Sequence, residues 1–250
     1  MNIAILGFGT VGSGVYDIVE NGDRRMRVTA IFIRPTHPAT MPEMTTNFDA
    51  ILADPNIDVV VEAIGGLHPA YDYILRALQH GKHVVTANKA VVAQHLPEFI
   101  TTAAQHHVCF YFEATTGGGI PWIRNLERAA RIDQIDTIEG IFNGTSNYIL
   151  DQMQRAHLDF DPVLLAAKDM GYAEADPSAD IDGDDVVNKL KISAALAYDM
   201  VPPRDVPKFG IRNVTKADID FFASRHQVLR LIGKSRRVGN HYSMVVEPRL

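Results

Sequence analysis

An acidic turn followed by a lysine is the stretch of this sequence most suited to chemistry. Gly171-Tyr172-Ala173-Glu174-Ala175-Asp176-Pro177 leads into Asp180-Ile181-Asp182-Gly183-Asp184-Asp185, with Lys189 four residues further on. Five aspartates and one glutamate within twelve residues invite a calcium loop. The spacing does not fit an EF-hand, because no bidentate glutamate follows at the required position. Asp185 and Lys189 sit four apart on a helix expected to start near Asp184, so they share a face. Ile192 and Leu196 continue that stripe, while Val187, Leu190 and Ala194 line the other side. A helix apolar nearly all round is buried, so Lys189 is expected to be poorly solvated. Burial lowers a lysine's pKa and carboxylates raise it, and a lysine tuned in this way suits proton transfer to a hydroxyl or carbonyl. The competing interpretation is a surface ion pair at helical spacing, worth a few tenths of a kcal/mol.

The second constellation is Gly7-Phe8-Gly9-Thr10-Val11-Gly12, a G-x-G-x-x-G turn. Alone it is weak, but it directly follows a buried strand and opens a helix. In a dinucleotide site the first glycine permits the tight turn and the second admits the pyrophosphate. The third lets helix pack on strand, and the helix N-terminus offers its N–H groups to the phosphates. The competing interpretation is a strand-to-helix turn with no ligand. An NAD site usually carries an acid at the end of the second strand, whereas this one ends Ile31-Phe32-Ile33-Arg34. Arg34 could pair with a 2′-phosphate, which favours NADP and leaves NAD possible. A solvated arginine at a strand end is the alternative.

Around these residues the first half alternates strands and helices. Strands are expected at Ile3–Leu6, Val28–Ile33, Ile57–Ile64, His83–Thr86 and Val108–Phe112. Helices are expected from Thr10 to Val19 (closed by Asn21-Gly22), from Pro69 to Leu78 (closed by Gly81) and from Lys89 to His106, with Pro97 a candidate break. Unbroken apolar strands alternating with helices predict an α/β fold with a Rossmann-type, doubly wound parallel sheet. After Gly119 the rhythm becomes α+β. A strand over Ile135–Phe142 is followed by helices near Ser146–Gln154 and Pro162–Met170, and by the long one ending about Tyr198. The expected division is a dinucleotide-binding domain over 1–125 and a substrate and dimerisation domain over 126–250.

The bulk composition excludes several classes. Of the 250 residues, 46% are hydrophobic and 22% charged, as in ordinary globular proteins. No apolar run approaches the roughly 20 residues that span a bilayer, so no membrane role is expected. Nor does the N-terminus resemble a secretory signal. The net charge of −6 and the absence of an aromatic–basic module argue against nucleic acid. The basic clusters Arg24, Arg25, Arg27 and Lys234, Arg236, Arg237 are expected to be solvated surface. The single Cys109 lies in an apolar stretch, and a buried thiol in a cytoplasmic protein is expected.

Taken together, these pieces resemble the homoserine dehydrogenase family along essentially the whole chain. Its motifs occur in order: the Gly7–Gly12 turn, Thr86-Ala87-Asn88-Lys89, Glu113-Ala114-Thr115-Thr116-Gly117-Gly118-Gly119-Ile120-Pro121, Gly140-Ile141-Phe142-Asn143-Gly144-Thr145-Ser146-Asn147-Tyr148-Ile149, and the acidic turn running into Lys189. The resemblance implies interconversion of L-homoserine and L-aspartate 4-semialdehyde with a nicotinamide cofactor, in threonine, isoleucine and methionine biosynthesis. It implies that Lys189 gives a proton to the aldehyde oxygen and that Lys89 is the second active-site lysine, near nicotinamide and substrate. It makes Glu174 the carboxylate that takes the substrate amino group and Asp185 a substrate ligand, with Asp180 and Thr145 in the same shell. By the resemblance Thr10, Val11 and Gly171 fall on cofactor positions, joining Gly7, Phe8, Gly9, Gly12, Arg34 and Lys89 in the expected cofactor site. The Glu113 segment resembles the family's monovalent-cation loop, with oxygens from Glu113, Thr116, Gly118 and Ile120 around sodium. A glycine-rich hinge between domains is its alternative, and both can hold. A homodimer is implied as well.

The family normally continues beyond the segment matching Ser243–Leu250. The expectation is therefore either a truncated form or a compact variant that closes its domain another way, with Tyr242–Val246 as an exposed strand edge wanting a partner. A non-catalytic NADP-binding subunit, or a truncated inactive homologue, is the alternative function. A related reductase of another small aldehyde or imine is a third, against which the Tyr172–Lys189 stretch argues.

Overall fold

A computed structural model of the chain describes residues 1–22 and 25–250. It forms two compact units, Met1–Trp122 and Ile123–Leu250. The first runs β1 (Asn2–Leu6), α1 (Thr10–Asn21), β2 (Arg27–Phe32), β3 (Met44–Thr45), α2 (Phe48–Ala53), β4 (Val59–Glu62), α3 (Ala70–Gln79), β5 (His83–Thr86), α4 (Lys89–Gln105) and β6 (Phe110–Tyr111). Among the described residues these strands make one six-stranded sheet of order β3-β2-β1-β4-β5-β6, every neighbouring pair parallel. That is the doubly wound, Rossmann-type sheet expected from the unbroken apolar strands. Ala4, Ile5, Leu6, Ile31, Val60 and Val84 are fully buried, because helices cover the sheet and leave the middle of its central strands no water-facing side.

Register decides where chemistry can sit. Leu6 pairs with both Phe32 and Glu62, and Glu62 pairs with Thr86. The carboxyl ends of β1, β2, β4 and β5 are therefore level, and the loops that follow them emerge on one edge. All strands run the same way, but the order of winding reverses between β1 and β4, which opens the crevice where such sheets bind ligands.

The second unit contains most of α5 (Trp122–Ile132), then β7 (Thr137–Gly140), α6 (Gly144–Ala156), α7 (Phe160–Asp169), α8 (Ser178–Ile181), α9 (Asp184–Tyr198), α10 (Lys216–Ala223), β8 (Arg230–Val238) and β9 (His241–Arg249). Among the described residues its sheet is antiparallel, of order β7-β8-β9. Helix α9 lies against all three strands and buries Val186, Val187, Leu190, Ile192 and Ala194. That burial fits its nearly all-round apolar sequence.

Several expectations need correction. Cys109 is exposed, not buried: its backbone accepts from Val84 N–H and donates to His83 Nδ1 just before the short edge strand β6. Pro97 does not break α4, which runs on through buried Leu96, Phe99 and Ala103. Packing there outweighs the lost backbone bond. The strands expected over 57–64, 108–112 and 135–142 are shorter at both ends than their apolar runs. Tyr242–Val246 is not a bare edge. Val246 is fully buried, and its backbone bonds Pro207 and Phe209 on the side away from β8. In the basic clusters, Arg24 lies outside the described residues, Arg25, Arg27 and Arg236 are exposed, and Lys234 pairs with Glu139 across β7 and β8. Among the described residues no helix is long and apolar enough to cross a membrane.

Candidate active site

In the first unit, a cleft of about 480 Å³ opens at the carboxyl edge of the sheet. The glycine turn, Phe32–Pro35 and Ala63–Gly65 form its walls. The three glycines answer to three different constraints. Gly7 has φ +93°, and a Cβ there would stand 2.9 Å from Ala63 O at the end of β4. A Cβ on Gly12 would meet Gly7 O at 2.0 Å, so the first turn of α1 closes on the strand end only without one. Gly9 has an ordinary φ of −87°, and a Cβ there would touch nothing within 4 Å. The protein itself gives Gly9 no reason to be glycine, but a pyrophosphate laid against the turn does.

The start of α1 has no side-chain cap, so its first N–H groups point out of the helix end unclaimed by a capping side chain. Thr10 and Val11 at that end are exposed, and Phe8 packs edge-on against Tyr16 with ring centroids 5.7 Å apart. Arg34 is exposed on the cleft wall, just past β2. This chemistry suits a dinucleotide: glycine surface and helix N–H for phosphates, and a guanidinium for a 2′-phosphate. His37, His68 and Tyr73 also line the cleft, and nothing in their spacing marked them beforehand. Lys89 is half-buried in the first turn of α4, directly after the capping Asn88, whose Oδ1 accepts from Val91 N–H.

In the second unit, the acidic turn separates into residues with distinct tasks. Asp176 accepts from Ser178 N–H at the start of α8, and hydrogen bonds from Ser178 hold its carboxyl below the usual range. Asp182 takes the Arg212 guanidinium in two bonds of 2.9 and 2.8 Å, which lowers its pKa too. Asp184 pairs with Lys208. Those three carboxylates are structural, which is why the cluster is no calcium loop.

Asp180 and Asp185 instead converge on Asn143. Its Nδ2 donates to Asp180 Oδ1 at 2.6 Å and to Asp185 Oδ2 at 2.8 Å, while its Oδ1 caps α6 by accepting from Ser146 N–H at 2.7 Å. Lys189 Nζ donates to the same Asp185 oxygen and to Phe142 O, both at 2.8 Å. Asp185 is 2% exposed and the Lys189 side chain 18%. An ammonium has three N–H donors, and two are spent here. One remains, on a lysine whose charge is screened little by water.

Thr145 donates to Tyr172 O at 2.9 Å, pinning the loop after α7. Gly171 in that loop has φ +76°, a backbone need of its own. Glu174 is exposed and makes no hydrogen bond to the Asn143–Lys189 set among the described residues. The residue that sequence reasoning passed over is Asn143. It sat inside a quoted motif, but only the fold shows that its amide joins Asp180, Asp185 and the α6 cap.

The segment after β6 forms a 3-10 turn over Glu113–Thr115 and then bends through Gly117 and Gly118, both at positive φ. Thr116 is buried, and its Oγ1 has no hydrogen-bond partner among the described residues. A buried hydroxyl left unpaired is costly, and a hard cation taking that oxygen together with neighbouring carbonyls would satisfy it. Ile120 O already accepts from Trp122 N–H at 2.7 Å, which leaves its second lone pair for such a role.

A doubly wound sheet with a glycine turn at its switch point, followed by an α+β unit pairing a part-buried lysine with a buried aspartate, defines a two-unit dinucleotide-binding protein. Comparison with known proteins narrows this class. The family model described as homoserine dehydrogenase matches residues 121–250, and the one described as homoserine dehydrogenase, NAD binding domain, matches residues 7–113. The chain belongs to the homoserine dehydrogenase family. It is 44% identical to the homoserine dehydrogenase of Synechocystis sp. over 93% of this chain and 56% of that protein. The crystal structure of a homoserine dehydrogenase from Thiobacillus denitrificans superposes with a TM-score of 0.92 at 36% identity, covering all of this chain and 61% of that one. A hyperthermophilic archaeal homoserine dehydrogenase in complex with NADPH gives a TM-score of 0.83 at 25% identity, covering 99% of this chain and 81% of that one. The chain thus spans 56% to 62% of the length of three curated relatives it matches.

Proposed function

We propose that this chain is a cytoplasmic homoserine dehydrogenase, interconverting L-aspartate 4-semialdehyde and L-homoserine with NADP(H) on the route to threonine, isoleucine and methionine. The observation that carries this reading is Lys189, part-buried, held at two of its three donors, with one N–H left to give. A bound nicotinamide dinucleotide would supply the hydride. Lys189 gives its remaining proton to the aldehyde oxygen as the carbonyl carbon is reduced, and takes it back in the reverse direction. Asp185 and Phe142 O fix the ammonium, and Asn143 fixes Asp185. Glu174, exposed on its loop, takes the substrate ammonium, with Asp180 and Thr145 the further substrate residues. Gly7 to Gly12 would hold the dinucleotide's phosphates, and Lys89 and Gly171 are the further cofactor residues that the family resemblance gives. NADPH oxidation with L-aspartate 4-semialdehyde, set against aldehydes of equal length lacking the amino-acid group, tests the assignment. Equal rates with both classes would remove the assigned substrate.

Arg34 makes the site prefer NADP over NAD. Arg34→Gln is expected to raise the NADPH dissociation constant roughly tenfold, the loss of one charge-assisted contact, and to leave NADH binding unchanged. Fluorescence titration with the two cofactors reads both. The same reading gives the segment around Thr116 a sodium ion, held by oxygens of Glu113, Thr116, Gly118 and Ile120. Wild-type thermal stability should rise with sodium. Thr116→Val should abolish that rise and, without sodium, be as stable as wild type or more so, since it deletes an unpaired hydroxyl. Scanning calorimetry with sodium or choline chloride checks this. The homodimer that the resemblance implies is part of the proposal, and sedimentation velocity measures it.

A further inference from the structure

Glu62 ends β4 with its carboxylate 1% exposed and no cationic partner among the described residues. Its Oε1 accepts from the backbone N–H of Ile64 at 2.8 Å and Gly65 at 3.1 Å. Its Oε2 accepts from the Thr86 hydroxyl at 2.6 Å. Thr86, itself buried, accepts in turn from Asn88 N–H at 3.0 Å. Asn88 then closes the circuit: its Nδ2 donates to Gly66 O at 2.7 Å, while its Oδ1 caps α4. The loop after β4 and the loop after β5 are thereby stitched at two points. One of them lines the dinucleotide cleft at Ile64 and Gly65, and the other delivers Lys89.

Burying a carboxylate with no counter-cation is expensive even when it is hydrogen-bonded, and an apolar side chain would avoid that cost while leaving the Ile64 and Gly65 N–H groups and the Thr86 hydroxyl without this acceptor. What an apolar residue could not do is hold two backbone N–H groups and a hydroxyl in fixed directions. We propose that Glu62 is a positioning residue, whose carboxylate locks the cleft-lining turn at Ile64–Gly66 to the start of α4 and so fixes where Lys89 stands relative to the bound dinucleotide. This rests on the homoserine dehydrogenase reading for its kinetic consequence, but not for the lock itself.

Thr86→Val keeps shape and removes the hydroxyl that joins the two loops, whereas Thr86→Ser keeps the hydroxyl. Amide hydrogen exchange is expected to quicken at least tenfold at Ile64–Gly66 in the valine variant, although that loop carries no substitution, and to stay near wild type in the serine variant. For turnover, kcat should fall roughly tenfold to a hundredfold in Thr86→Val and recover in Thr86→Ser, with KM for the aldehyde changed far less. Glu62→Met keeps much of the shape and removes both carboxylate oxygens, so it should reproduce the valine phenotype, which covers the case of a valine variant that does not fold. Unchanged exchange at Ile64–Gly66 overturns the proposal, as does a kcat within twofold of wild type. A wild-type chain without turnover would sink the homoserine dehydrogenase reading instead, and the exchange measurement would still decide the lock.

Discussion

Lys189→Ala is expected to lower kcat by roughly two to four orders of magnitude, the scale of a lost general acid, while NADPH affinity stays unchanged. The glycine turn that is proposed to hold the phosphates belongs to the first unit, and Lys189 to the second. Alanine also strips Asp185 of its cation, leaving a carboxylate 2% exposed with the Asn143 amide as a neutral partner. Removing one partner of a buried pair is strongly destabilising. Some residual exposure of Lys189 tempers this, and a loss of about 1 to 3 kcal/mol is expected. Lys189→Arg separates the two effects. A guanidinium can still pair with Asp185, so stability should largely return, yet it does not release a proton in the working range, so turnover should not. Stopped-flow NADPH oxidation read beside thermal melts distinguishes these outcomes. An alanine variant with wild-type kcat would remove Lys189 from the chemistry.

The second large effect lies in the glycine turn, where Gly9→Ala and Gly12→Ala should behave in opposite ways. At Gly12 the new methyl meets Gly7 O at 2.0 Å, a backbone atom that cannot swing aside. Helix α1 must move off the strand end, at a cost of about 1 to 3 kcal/mol, and NADPH affinity should collapse with it. At Gly9 the methyl meets nothing and the backbone angle suits any residue. Stability should hold or rise by about 0.4 to 1 kcal/mol, because the unfolded chain loses freedom. NADPH affinity should nevertheless fall by roughly tenfold or more, about 1.4 kcal/mol per decade, as the methyl occupies the space a pyrophosphate needs. A turn that served only to join strand and helix would leave Gly9→Ala indifferent to NADPH, and isothermal titration separates the two cases.

Where the chain buries what its pattern advertises, the sequence was readable. β5 falls on His83–Thr86 and α9 ends at Tyr198 as the apolar runs require, and the doubly wound sheet follows from strands with no polar face. β8 was hidden for a specific reason. Its inward positions after Leu231 are Gly233 and Ser235, not aliphatic residues. A Cβ at Gly233 would run 2.8 Å from Val186 Cγ1, and Ser235 is buried because it meets the Tyr198 hydroxyl at 2.7 Å. Alternation was present in burial but not in hydrophobicity. β3, two residues long, carries no pattern at all.

The candidate site divides in the same way. Lys189 and Asp185 were legible because helical spacing alone puts them together. Asn143 and Glu62 were not, since each draws its meaning from partners distant in sequence, 37 and 42 residues away for Asn143 and 24 for the Glu62–Thr86 bond. Cys109 shows the reverse error, an apolar stretch taken for burial that the edge of a sheet leaves open.

A single-turnover experiment on the intact chain tests the central claim most directly. Chain and NADPH at equal concentration are mixed with excess L-aspartate 4-semialdehyde, and reduced nicotinamide and homoserine are followed together. The expected result is loss of the reduced cofactor matched mole for mole by homoserine, absent in Lys189→Ala. NADPH bound tightly but left unoxidised by the wild-type chain would contradict it.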